Sequence, residues 1–147
     1  MNYSQYQQLA KNEAAKGRKY LFTTYFFIAI SLVFFALFFF NTQELPVIGC
    51  AFLCDAVAVV YLFRTLNLTF PFWQGILARR CAAEPSQKAI YELCAALELP
   101  KQPCKYGATI QSAFSAACST VSAREDISDS DKAMLRSHLK SYAGMEL

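Results

Sequence analysis

The sequence predicts an all-α membrane protein, built as a two-helix transmembrane hairpin plus a small cytoplasmic helical domain. Three observations predict it. Tyr20 to Phe40 is an uncharged run of 21 residues, and eight of the thirteen Phe lie between Phe22 and Phe40. Pro46 to Phe63 is a second apolar run, 18 residues long and interrupted only by Asp55. Residues 84–147, by contrast, repeat apolar side chains at helical spacing among polar ones. The chain of 147 residues is 55% hydrophobic and only 17% charged, which excludes disorder and collagen.

Residues 1–19 read as a polar, cytoplasmic, solvated helix continuing into the first span. Ser4 and Gln7 fit a capping box, and Ala10, Ala14 and Ala15 favour helix. Tyr3 and Tyr6 are candidates to touch a membrane surface or a partner. Residues 20–40 form the first span, since 21 residues at 1.5 Å each cross a hydrocarbon core of about 30 Å. The run is longer than the apolar region of a secretory signal and lacks a small-residue cleavage site after it. Residues 41–45 allow only a short external turn, so the second span, residues 46–63, returns antiparallel. Val47-Ile48-Gly49-Cys50 looks like a lipoprotein cleavage box, but it sits deep in the chain and apolar sequence continues beyond it.

Orientation follows from charge. Residues 1–80 carry seven bases and three acids, and residues 81–147 carry seven bases and eight acids. Lys11, Lys16, Arg18 and Lys19 precede the first span, Arg64, Arg79 and Arg80 follow the second, and the turn has none. Basic residues stay inside, so both termini are expected in the cytoplasm, with a plasma or bacterial inner membrane favoured.

Within the second span, Cys50, Ala51, Cys54, Asp55 and Ala58 fall on one small, polar arc of roughly 140°. Small faces are where membrane helices meet closely. An acid near mid-membrane costs about 2.5–3.5 kcal/mol on insertion scales and needs a donor. Ser31, on one face of the first span with Thr24, is the expected hydrogen-bond partner of Asp55. These seven residues are the predicted transmembrane association site. A hairpin with a carboxylate in its second span is similar in topology to the proton-carrying ring subunit of rotary ATP synthases. The turn here lacks that family's Arg-Gln-Pro, the spans are Phe-rich and a long tail is added, so no function is carried over.

Residues 64–83 are expected to form an interfacial elbow, with Arg64, Trp73, Arg79 and Arg80 at the lipid headgroups. Residues 84–147 read as three short helices. The apolar stripes Ile90, Leu93, Leu97 and Met134, Leu135, Leu139 are the predicted partner-binding surface, because so small a domain is marginal alone. Ser128 with Asp131 fits a cap for the last helix and Gly144 ends it.

The six Cys show no CxxC spacing, so no metal site is expected. Cys94 and Cys118 read as small core residues, Cys104, in a loop beside Lys105, as the candidate reactive thiol, and His138 as isolated. No phosphate loop, GxSxG or HExxH is present, and no basic stripe marks the tail for nucleic acid. The expectation is therefore a non-catalytic, cofactor-free chain with no nucleic-acid partner and no small-molecule substrate. Its partners would be the bilayer and either other proteins or itself, in the role of structural or adaptor subunit. The alternatives are an ion- or proton-conducting homo-oligomer using Asp55, and a membrane immunity or inhibitor protein.

Overall fold

The computed structural model describes residues 2–42, 44–100 and 105–145, and every regular element among them is helical. The helices are α1 (Tyr3–Leu37), a π-helical turn (Phe38–Thr42), α2 (Leu45–Leu66), α3 (Phe72–Ala83), α4 (Gln87–Leu97), α5 (Ala108–Ala123) and α6 (Asp129–Ala143). They form two compact units. One is residues 14–68; the other joins residues 1–13 to residues 69–147, so α1 contributes to both.

Residues 14–68 form an antiparallel hairpin whose two helices are long and apolar enough to cross a membrane. Pro46 opens α2, where its missing N–H costs nothing, and Arg64 sits in the last turn. The direction of pairing is fixed by ring contacts, Tyr20 with Tyr61 and Phe35 with Phe52, both at 5.8 Å between centroids. The seam is made of small residues seven apart. Gly17, Thr24 and Ser31 are buried on α1, and Ala51, Ala58 and Thr65 on α2. Such a strict repeat keeps one face of each helix inward, and small side chains let the backbones approach. At Gly17 a Cβ would lie only 3.1 Å from the Leu68 Cβ.

The helical path is longer than the sequence suggested. The π turn carries it to Thr42, so most of the expected 41–45 turn is absorbed into helix. The expected Ser31–Asp55 hydrogen bond is absent among the described residues: Ser31 is buried in the seam, whereas Asp55 is only partly buried at its flank.

The second unit packs α3 centrally, against both α4 and α5, while α6 pairs with α4 and α5. Residues 72–83, expected within the 64–83 interfacial elbow, form a helix packed into this unit. Gly75, Ala78 and Cys81 make a narrow face that buries, with Gln74 and Leu77, into the core. A Cβ on Gly75 would sit 3.2 Å from Ile110 Cγ1, so the glycine sets the α3–α5 approach. Gln74 is fully buried and satisfied: its Nε2 donates to the Ala96 carbonyl at 2.8 Å, and its Oε1 accepts from Tyr106 Oη at 2.9 Å. It thereby caps one of the free carbonyls at the α4 C-terminus.

The other ends are capped locally. Ser86 accepts from the Ala89 N–H at the start of α4, and Ser128 accepts from the Asp131 N–H at the start of α6. Asp131 is buried and also accepts from Ser128 Oγ at 2.7 Å and from Gln87 Nε2 at 3.2 Å, tying α6 to α4. Gly144 closes α6 in the left-handed conformation, φ 65°, which a glycine adopts without strain.

The N-terminal segment is not solvated all round. Tyr6 and Ala10 are buried against Ala95, with Tyr3, Trp73, Tyr91 and Leu99 packed around them. The predicted Ser4–Gln7 box is replaced by an Asn2–Gln5 pair, in which the Asn2 N–H donates to Gln5 Oε1 at 3.1 Å. Gln7 points instead into the unit.

Candidate functional site

The hairpin flank and the N-terminal dock of the second unit are the two places where polar chemistry gathers. On the hairpin, the predicted association residues divide. Ala51 (0% exposed), Ala58 (4%), Thr24 (2%) and Ser31 (2%) are consumed in the seam between α1 and α2. They hold the hairpin together and present nothing to another chain. Cys50 is exposed, and Cys54 and Asp55 are partly buried on either side of that seam. Thr24 Oγ1 and Thr65 Oγ1 donate to carbonyls one turn back, Tyr20 at 2.9 Å and Tyr61 at 2.8 Å, so neither hydroxyl proton reaches across the seam.

In the second unit the predicted partner stripes pack on each other. Ile90, Leu93, Leu97, Leu135 and Leu139 are at most 1% exposed, and Met134 is partly buried against them. They are core, not surface, because α4 and α6 turn their apolar stripes toward each other. Trp73 is likewise half-buried against this core instead of standing free for headgroups. Arg64, Arg79 and Arg80 are exposed. Arg80 lines an open groove of about 450 Å³ with Glu84, Ser86, Lys88 and Glu92, where two acids balance two bases.

The cluster that sequence reasoning missed centres on Glu98, the residue that ends α4. Its Oε1 accepts from Tyr3 Oη and faces His138 Nε2, both at 2.7 Å, and its Oε2 accepts from Gln7 Nε2 at 2.6 Å. His138 Nδ1 faces the Met134 carbonyl at 2.8 Å. Both ring nitrogens thus face hydrogen-bond acceptors. Burial by itself pushes the Glu98 carboxyl up, but hydrogen bonds from His138, Tyr3 and Gln7 outweigh it and hold the group below its usual range. Burial, and then the bond to Glu98, drives the Tyr3 phenol well above its ordinary value.

One signal for this cluster was present in the sequence. Tyr3, Tyr6, Gln7 and Ala10 stand at i, i+3, i+4 and i+7, one helix face. In sequence His138 reads as isolated because Glu98 lies 40 residues away in the chain. The acceptors of Glu98 are filled from two helices, α1 and α6, a lock that ties both to the end of α4.

The buried thiols are core residues. Burial and the neighbouring Cys118 push Cys81 up to about 11, and burial raises Cys94 further. Cys104 lies outside the described residues. Among the described residues no group of three or more His, Cys, Asp or Glu is placed to hold a metal ion. No family model, no curated protein and no solved structure matches the chain.

Proposed function

We propose that the chain is a two-pass integral membrane protein acting as a non-catalytic structural or adaptor subunit, with the Glu98-centred unit in the cytoplasm. One observation carries this reading. Eighteen large apolar side chains between Leu21 and Leu66 are exposed, among them Phe22 (73%), Leu32 (64%), Leu53 (69%) and Phe63 (64%). Soluble monomers rarely expose more than a few hundred Å² of contiguous apolar surface, and lipid tails are the medium that satisfies it.

A second relationship supports the orientation. The segments before and after the hairpin fold into one unit, through Tyr3, Gln7 and Glu98, and this supports a reading with both ends of the hairpin on the same side. The excess of basic residues at those ends supports the cytoplasm as that side. A plasma or bacterial inner membrane fits this polarity. The non-catalytic part of the reading is supported by His138, whose two nitrogens are both engaged in the lock.

The test is alkaline carbonate extraction of native membranes, then protease protection of tags at both termini and in the turn. The reading expects retention in the membrane and digestion of both terminal tags only after the cytoplasmic side is opened. Extraction by carbonate, or termini on opposite sides, overturns it. The adaptor role is tested by the mass of the assembly in mild detergent; a lone monomer at all protein concentrations rejects it.

A further inference from the structure

Asp55 is the eleventh of the 22 residues of α2, at the middle of a helix of membrane length. It stands about 40° around the helix from Ala51 and about 60° from Ala58, beside the seam and not within it. It is partly buried, and among the described residues it makes no hydrogen bond and no ion pair. The hairpin has little to give it. Thr23, Thr24 and Thr65 each donate to their own helix backbone. Ser31 does not reach it. From Tyr20 to Phe63 the chain has no Lys, Arg or His.

We infer that the flank of α2 around Asp55 docks a transmembrane helix of another protein that carries a Lys or Arg at mid-bilayer depth. The inference rests on the membrane reading above. Charge complementarity selects this occupant. Lipid tails offer no donor, and an unpaired acid at the bilayer centre is costly. A second copy of this chain brings another Asp55 and no cation, so two carboxylates would meet and repel unless a proton is held between them. A basic side chain from a different chain neutralises the acid directly. The same contact relieves the partner, whose own cation is equally costly alone.

The experiment uses the full chain, fluorescently labelled at its C-terminus, in phosphatidylcholine vesicles. The probes are synthetic Leu/Ala transmembrane peptides carrying an acceptor dye and either Arg or Leu at the central position. Energy transfer is expected to report association at least about tenfold tighter for the Arg peptide than for the Leu peptide. Asp55→Asn, which keeps the side-chain shape, is expected to abolish that preference while circular dichroism stays unchanged. Equal association of both peptides, or a preference that survives Asp55→Asn, overturns the inference. So does transfer between donor- and acceptor-labelled copies of the chain that disappears in Asp55→Asn, since a second copy then fills the site. Carbonate extraction of the same vesicles separates the two readings: a chain that never inserts fails the membrane proposal, whereas an inserted chain indifferent to Arg fails this one alone.

Discussion

Tyr3 donates a 2.7 Å hydrogen bond to the carboxylate of Glu98, across 95 positions of sequence. The first turn of the helix that leads into the hairpin is thereby part of the fold formed after it. Removing this bond without removing the ring is the first prediction. Tyr3→Phe is expected to lower the stability of the second unit by about 1 kcal/mol, less than a buried charged bond because the site is partly solvated. Glu98→Ala should cost more, since it releases Tyr3, Gln7 and His138 together. Thermal melts of the purified chain in detergent measure both, and an unchanged Tm in Glu98→Ala would reject the lock.

The same carboxylate gives a pH prediction. Its folded pKa is held below the ordinary value of 4.5. Its contribution is therefore fully present above pH 4.5, and it falls away as pH drops through the folded value, because the unfolded chain takes the proton first. Melts from pH 6 to pH 3 should show a loss of Tm in the acid limb, and Glu98→Gln should flatten that limb. An identical acid limb in both proteins would sink the assignment.

Gly75 sets the spacing of α3 and α5. Gly75→Ala places a methyl 3.2 Å from Ile110 Cγ1, a contact that must yield. The expected cost is about 1–3 kcal/mol. Gly75→Ala with Ile110→Val, which trims the opposing side chain, should recover part of it. Denaturant melts decide, and full stability in the single variant would show that α5 gives way freely.

Gly17 does the same for the hairpin. Gly17→Leu drives a side chain into Leu68, whose Cβ and carbonyl oxygen lie 3.1 and 3.4 Å from where the first carbon would stand. The hairpin is expected to open in SDS at a lower detergent fraction than the wild type. Phe22→Leu, at an exposed position, should leave that midpoint in place.

The thiols sort by burial. Cys81, Cys94 and Cys118 are expected to resist iodoacetamide at pH 8 in the folded chain and to react on denaturation. For Cys81, raised to about 11, the thiolate fraction at that pH is only about 10⁻³. Mass mapping of the alkylated peptides measures this, and rapid native labelling of Cys94 would contradict the core placement.

Several elements were legible in the residues alone. The two long apolar helices follow from two apolar runs, the second broken only by Asp55, because a chain cannot leave such surface in water. The Ser128 cap and the Gly144 stop follow from local backbone chemistry, which needs only neighbours in sequence. The Asn2–Gln5 pair stands in place of the Ser4–Gln7 box because α1 begins at Tyr3, which makes Asn2 the N-cap, and the Gln7 amide donates instead to Glu98, far along the chain.

What the sequence by itself determined was the class of each segment: helix, and apolar or polar. Period and composition carry that information, since each helix must bury or shed a whole face. Only the tertiary structure decided what each face meets. Ala51 and Ala58 close the hairpin instead of facing outward, the Leu93 and Leu135 stripes meet each other, and Glu98 gathers Tyr3, Gln7 and His138. The reason is physical. An apolar stripe or a hydrogen-bond donor specifies that a partner is needed, and the path of the chain selects which partner lies within reach.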